Sequence, residues 1–274
     1  MTQSLEQIFT MRQPLLLIGC GRMGRAMASG WLASGLTEAA LQVVEPAGDP
    51  GLGGDVGHAG ALDDLPAALT PAAIVLAVKP QVMDRVLPRL DRFRTADPLL
   101  VSIAAGIPLS RLGTVLPRAV RAMPNTPAAI GQGITAAVAA AATNDEDRQR
   151  ANSLLAATGE TVWLESEADM DAVTAVSGSG PAYLFAMVEA MAAAGMAEGL
   201  QPDLAMRLAR QTVIGAAHLL EQSRLSAAEL RQQVTSPGGT TEAGLAVLRD
   251  ETGLEALMTH TVAAAAHRAR ELAE

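Results

Sequence analysis

The chain has 274 residues, 49% of them hydrophobic and only 2% aromatic, with a formal net charge of −9. That length allows one large domain or two ordinary ones around a sizeable core, while the acidic balance and the lack of any basic run argue against nucleic acid or an anionic membrane as partner. A single cysteine, Cys20, excludes an internal disulfide and a multi-cysteine metal site, and the four histidines do not cluster with carboxylates, so no metal is expected.

Residues 1–13 carry Glu6 and Arg12 and no long apolar run, which argues against a signal peptide. Residues 15–18 read as a short apolar strand that stops on Gly19. A helix is predicted from about residue 24 to 34, with Gly35 placed to end it in a left-handed conformation. Strands follow at 41–44, 73–78, 99–103 and 119–123, several of them apolar on consecutive positions, as strands covered on both faces are. Strands interleaved with helices imply a parallel, doubly wound sheet. After a strand-like stretch at 161–164 the helical pattern dominates, with helices predicted at about 167–176, 180–198, 203–222, 226–234, 241–250 and 254–272. The boundary is therefore placed between 1–165 and 166–274, and Gly/Pro punctuation falls at 177–181 and 236–239. Between Pro181 and Ala197 the only charged residue is Glu189, and the stretch reads as a buried helix rather than a membrane span. A helix apolar on nearly all sides needs covering on all sides, more than so small a domain offers, so an intertwined homodimer is expected. These features describe a soluble cytoplasmic protein.

Gly19-Cys20-Gly21-Arg22-Met23-Gly24 has the form G-x-G-x-x-G. The six letters are weak evidence by themselves, but here they follow a strand and open a helix in a first strand–helix–strand unit. Gly19 permits the tight turn, Gly21 lets the backbone approach a pyrophosphate, and Gly24 allows close packing of helix on strand. The helix N-terminus then offers unpaired N–H groups and a partial positive charge to the phosphates. Cys20 reads as a small side chain tolerated in the turn. The second strand ends on Glu45, about 20 residues beyond Gly24, where an acidic residue takes the ribose hydroxyls of NAD. Residues 46–50 contain no cation to offset a 2′-phosphate, so the cofactor reading is NAD(P)H leaning to NADH.

Four later segments carry a resemblance. Ala77-Val78-Lys79-Pro80 closes a strand, and residues 121–127, with Asn125 between two prolines, follow another. Residues 177–183 (SGSGPAY) and 235–241 (TSPGGTT) punctuate the helical half. In this order and spacing, from about residue 15 to the end, they resemble the pyrroline-5-carboxylate reductase family. The resemblance implies a Rossmann-like N-terminal domain at 1–165 and a helical dimerisation and substrate domain at 166–274. It also implies an active site shared between subunits, often with dimers assembled into a ring. The activity implied is hydride transfer from NAD(P)H to the cyclic imine of 1-pyrroline-5-carboxylate, giving L-proline. Arg22 departs from the asparagine or glutamine common in the family, and many relatives carry Ser or Arg in the turn after the position of Glu45.

By that resemblance Ala77, Val78, Lys79, Pro80 and Ala105 line the cofactor cleft, at strand ends where doubly wound folds bind ligands. Asn125 faces the nicotinamide, unless it serves only as a turn former. For the substrate carboxylate, Ser236, Gly238, Gly239 and Thr240 lead into a helix whose free N–H groups suit an anion without a cationic side chain. The resemblance puts the hydroxyl of Thr241 at the ring nitrogen, as the catalytic group. The plain alternative is that Thr240 and Thr241 only cap their helix. Glu167 corresponds to a substrate-side position in relatives; a solvated surface carboxylate is the other reading. A β-hydroxyacid dehydrogenase would share the glycine loop but needs a lysine in the helical half, and Lys79 is the only lysine in the chain. A non-catalytic dinucleotide sensor would keep residues 19–24 but has no use for the pattern at 236–241.

Overall fold

A computed structural model describes residues 4–272. In chain order the elements are α1 (Leu5–Ile8), β1 (Leu15–Ile18), α2 (Arg22–Ala33), β2 (Leu41–Val44), β3 (Gly57–Ala59), β4 (Ala73–Leu76), α3 (Met83–Val86), β5 (Leu99–Ser102), α4 (Leu109–Leu112), β6 (Ala119–Met123), β7 (Gly133–Ala139), α5 (Asp145–Ala156), β8 (Gly159–Trp163), α6 (Met170–Val173), α7 (Gly180–Ala197), α8 (Pro202–Gln222), α9 (Ala227–Gln233), α10 (Thr240–Leu248) and α11 (Leu254–Glu271).

One eight-stranded sheet runs in the order β3-β2-β1-β4-β5-β6-β7-β8. Strands β1 to β6 pair in parallel, as the interleaved pattern requires. The expectation of a fully parallel sheet needs one correction: β7 pairs antiparallel to β6, and β8 runs parallel to β7. β3 and β7 carried no clear strand signal. β3 is three residues long, and β7 is built largely of alanine, which has little strand preference.

Successive residues of each strand point to opposite faces, so the consecutive apolar runs feed two cores. Leu15, Leu17, Val43 and Val75 pack against Met27 and Trp31 of α2 and Leu154 and Leu155 of α5. Leu16, Ile18, Ile74 and Leu76 pack against Met83, Leu90 and Phe93 on the other face. The buried Trp31 indole N–H donates to the Leu154 carbonyl at 2.8 Å, so the largest side chain of the first core leaves no unpaired donor. Gly35 ends α2 with φ 94°, the left-handed conformation its position predicts.

The chain forms two compact units, Met1–Gly178 with Ala265–Glu274, and Ser179–Ala264. By contacts the first unit runs on to Gly178, and the end of α11 belongs with it. Residues 167–178 form a 3₁₀ turn (Glu167–Asp169), α6 and a π-helical turn (Thr174–Gly178), with Met170 and Ala175 buried. The run at 177–181, read as a break, is this π turn passing almost directly into α7; such turns mark strained or functional positions. A Cβ on Gly178 would lie 2.8 Å from Met123 Cε, the far end of a flexible side chain.

In the second unit α7 and α8 meet through Ala192, Ala205 and Ala209, with Val188 beside them. Small side chains let the two helices approach closely. Almost everything else on α7 is uncovered: the segment Glu167–Ala197 is apolar and long enough to cross a membrane, and only 6% of its most apolar window is buried.

Candidate active site

The first candidate site is built on the C-terminal ends of β1, β2 and β4. Gly19 follows β1 with φ 90° and donates its N–H to Val44 O at 2.9 Å. A Cβ there would lie 2.8 Å from Ala77 O, so sterics and backbone conformation both demand glycine. Gly21 caps α2, and a Cβ on it would meet nothing within 4 Å. Its freedom is on the side a ligand would approach. Gly24 is the reverse case: its Cβ would sit 2.3 Å from Gly19 O, so it is the contact that seats α2 on the loop. Gly19 and Gly24 therefore have the steric reasons assigned from the sequence, and Gly21 has the open side that its assigned reason requires.

Gly19, Gly21, Glu45, Ala77, Val78 and Lys79 line one cleft of about 620 Å³. This lies at the junction of β1 and β4, where the strand order reverses and doubly wound sheets bind ligands. Glu45 does not hang free in it. Its Oε2 accepts the Cys20 N–H at 2.7 Å and its Oε1 the Ala47 N–H at 3.0 Å, so the carboxylate is held at the rim of the glycine loop. Cys20 is buried; that burial, with the Glu45 charge beside it, pushes its thiol above the ordinary range, with Arg25 opposing. An inert small residue, rather than a redox group, fits that environment.

The remaining predicted cofactor residues do not line this cleft. Arg22 is exposed, Met23 packs against the first core, and Pro80 begins a 3₁₀ turn after Lys79. Ala105 is half-buried beyond β5. Asn125, beyond β6, is buried, and its Oδ1 accepts the Ile134 N–H at 3.0 Å, which ties β6 to β7. That is the structural use its place between prolines suggested. Glu167 accepts from Arg121 Nη1 at 2.8 Å and from the Leu109 N–H at 2.9 Å. Arg121 is 6% exposed, so Glu167 Oε1 neutralises a buried cation and accepts at the start of α4, while its side chain keeps 30% exposure. Sequence reasoning missed the cleft residues Leu62, Val82, Arg85, Val86 and Arg89. Their spacing on a helical segment was present in the sequence, but nothing there said which wall of which cleft they face.

The second candidate site lies in the other unit, at the start of α10. Gly238 takes φ 69° and its N–H donates to Glu242 Oε2 at 2.7 Å, while the Gly239 N–H donates to Ser236 O at 3.0 Å. These two donors are used inside the turn. The donors left without an acceptor among the described residues are the N–H groups of Thr240, Thr241 and Glu242, one step further along. Gly239 is the N-cap and no side chain caps the helix. The hydroxyls of Thr240 and Thr241 are on exposed residues and make no hydrogen bond among the described residues, so the capping alternative is not the role they have. Among the described residues no group of three or more His, Cys, Asp or Glu is placed to hold a metal.

A pyrroline-5-carboxylate reductase of Pseudomonas aeruginosa is 40% identical to this chain over 265 residues, covering 95% of it and 97% of the relative. The chain belongs to the pyrroline-5-carboxylate reductase family. The profile for pyrroline-5-carboxylate reductase dimerisation matches residues 167–272, close to the sequence boundary, and one for NADP oxidoreductases, coenzyme F420-dependent, matches 15–106. A solved pyrroline-5-carboxylate reductase of Coxiella burnetii superposes with TM-score 0.87 at 33% identity, covering 96% of this chain and 99% of its own. That of Plasmodium falciparum, solved with NADP bound, gives 0.80 at 26% identity over 97% and 100%.

Proposed function

We propose that the protein is a soluble, cytoplasmic pyrroline-5-carboxylate reductase that takes hydride from NAD(P)H, NADH among the donors, and delivers it to the cyclic imine, forming L-proline. The observation that carries the reading is the start of α10, where three backbone N–H groups lack acceptors beside an unengaged Thr241 hydroxyl. Such a helix end suits one carboxylate, because the N–H groups and the helix dipole both favour a single negative charge. A hydroxyl beside it can hold the ring nitrogen in place and pass it a proton. Threonine is too weak an acid to protonate the imine by itself, so it acts as a relay from solvent. At the other site Gly19, Gly21 and the α2 N-terminus hold the pyrophosphate, and Glu45, pinned by Cys20 and Ala47, faces the ribose. Bound NAD(P)H supplies one hydride to the imine carbon; with one proton on nitrogen the double bond becomes C–H and N–H. Steady-state oxidation of NADH and NADPH with pyrroline-5-carboxylate tests this. A purified protein that binds nucleotide but does not turn over would turn the reading toward a sensor.

The protein is a homo-oligomer, and we read its unit as an intertwined dimer, with dimers joined into a ring. Phe185 is 66% exposed, Leu184 51% and Leu208 49% in a single chain, and apolar surface on this scale marks an interface. Light scattering at low micromolar concentration is expected to find no folded monomer; a compact, active monomer would exclude the dimer.

A further inference from the structure

Part of the cleft that contains Glu45 is built on weakly held backbone. β3 is three residues long and lies at the edge of the sheet, paired only with β2. The chain then passes through Gly60, Ala61 and Leu62, which line the cleft, and makes a single 3₁₀ turn (Leu62–Asp64). Few hydrogen bonds hold an edge strand and a one-turn helix, so such a segment opens readily unless something else ties it. A second part of the lining, Val82, Arg85, Val86 and Arg89, comes from a helical stretch made of a 3₁₀ turn (Pro80–Val82), α3 and a longer 3₁₀ stretch (Leu87–Phe93).

Arg92 does not line the cleft, but it joins these two segments. Its Nη1 donates to Leu62 O at 2.7 Å, and its Nη2 to Leu65 O at 3.2 Å and Pro66 O at 3.1 Å. These carbonyls lie at the C-terminal end of the 3₁₀ turn, where a helix leaves acceptors without partners. The N-terminal end is closed by Asp64, whose Oδ2 accepts the Ala61 N–H at 2.9 Å. Leu62, Leu65, Leu90 and Phe93 share the second core, and Arg92 Cζ stands 5.2 Å from the centre of the Phe93 ring. The other polar tie between the segments, Asp63 with Arg89 at 3.5 Å, joins two exposed side chains and is worth little. Arg92 makes no ion pair among the described residues. Its fixed fork of donors is used on backbone carbonyls alone, a task that a single point charge performs poorly.

We propose that Arg92 is a positioning residue for the cofactor. By tying residues 62–66 to the stretch 87–93 it fixes the place of Gly60, Ala61 and Leu62, and so sets the affinity of the cleft for NAD(P)H without touching the dinucleotide. The inference rests on the reading of this cleft as the dinucleotide site. Thr241 has no part in the linkage, so hydride transfer in the fully loaded enzyme does not depend on it.

Fluorescence titration with NADH and steady-state kinetics on the intact protein test the inference. Arg92→Leu is expected to raise both Kd and KM for NADH by about 5- to 20-fold, with kcat at saturating NADH within about twofold of wild type. Arg92→Lys keeps the charge without the fork and should fall between the two. Asp63→Asn, which removes only the exposed pair, should change either constant less than about twofold. Hydrogen exchange should quicken at residues 60–66 of Arg92→Leu, slow again when NADH is bound, and stay unchanged in β1 and β4. Wild-type NADH affinity in Arg92→Leu overturns the proposal whatever the melting temperature, since the residue then only stabilises the fold. A fall in kcat at saturation as large as the rise in KM, or faster exchange throughout the sheet, overturns it too, because both are signs of general damage. Should Arg92→Leu not fold, Arg92→Lys carries the same test. If the wild type binds neither NADH nor NADPH, the reading of the cleft itself fails and takes the inference with it.

Discussion

Thr241→Ala is expected to lower kcat/KM for pyrroline-5-carboxylate by about 10- to 10⁴-fold, the range spanned by a positioning and a proton-transfer role. NADH affinity and the melting temperature should stay near wild type. The structure sharpens this expectation. A threonine that capped α10 would cost about 1 kcal/mol of stability on truncation. Here the N-cap is Gly239, no side chain caps the helix, and the Thr241 hydroxyl makes no hydrogen bond among the described residues. Losing it should therefore leave the fold alone. Its backbone N–H survives the substitution, so the carboxylate donors remain. Thr240→Ala is the control, with a smaller effect, since it also removes a hydroxyl from the first turn. Steady-state kinetics of both variants with melts alongside separates the cases. Near-wild-type kcat/KM in Thr241→Ala would show that the hydroxyl has no catalytic part. A loss that follows unfolding would make the role structural.

Gly21→Ala and Gly24→Ala should both weaken dinucleotide binding by tenfold or more, yet only the second should destabilise the protein. A Cβ on Gly21 meets no protein atom within 4 Å, so the fold has room for it; what it fills is the approach to the pyrophosphate. A Cβ on Gly24 would press on Gly19 O at 2.3 Å and on Ala77 Cβ at 3.2 Å. The first contact is with backbone, so α2 must move off β1. Overpacking of this kind costs about 1–3 kcal/mol, and the displaced loop binds poorly as a consequence. Denaturant melts and NADH fluorescence titrations on the two variants measure the two effects independently. Equal loss of stability in both would mean that Gly21 is needed for the fold, and that its openness toward a ligand is incidental.

The glycine loop shows why part of the site was legible in advance. Its signal is local: a strand, a turn that only glycine can make, and a helix start lie within ten consecutive residues, and the backbone does most of the work. The strands β1, β2, β4, β5 and β6 were legible for a related reason, because burial on both faces leaves an unbroken apolar run. The TSPGGTT turn and the apolar helix α7 were equally plain.

What residue order determined about this reductase is therefore its local chemistry: which turns have the form of anion sites, which strands are fully buried, and which helix is apolar on nearly all sides. Only the tertiary structure decided how distant charges meet. Glu167 was read as substrate-side or solvated; its Oε1 is engaged by Arg121, because β6 brings a buried guanidinium that must be neutralised. The sequence placed free donors at the start of α10 but did not show that Glu242 and Ser236 take up the N–H groups of Gly238 and Gly239 just before it. The absence of a cation at residues 46–50 was true of the chain and untrue of the cleft, which takes Lys79 and Arg85 from beyond β4. Coulombic pairing depends on distance in space, and sequence separation carries no information about it once a sheet has placed two loops on the same edge.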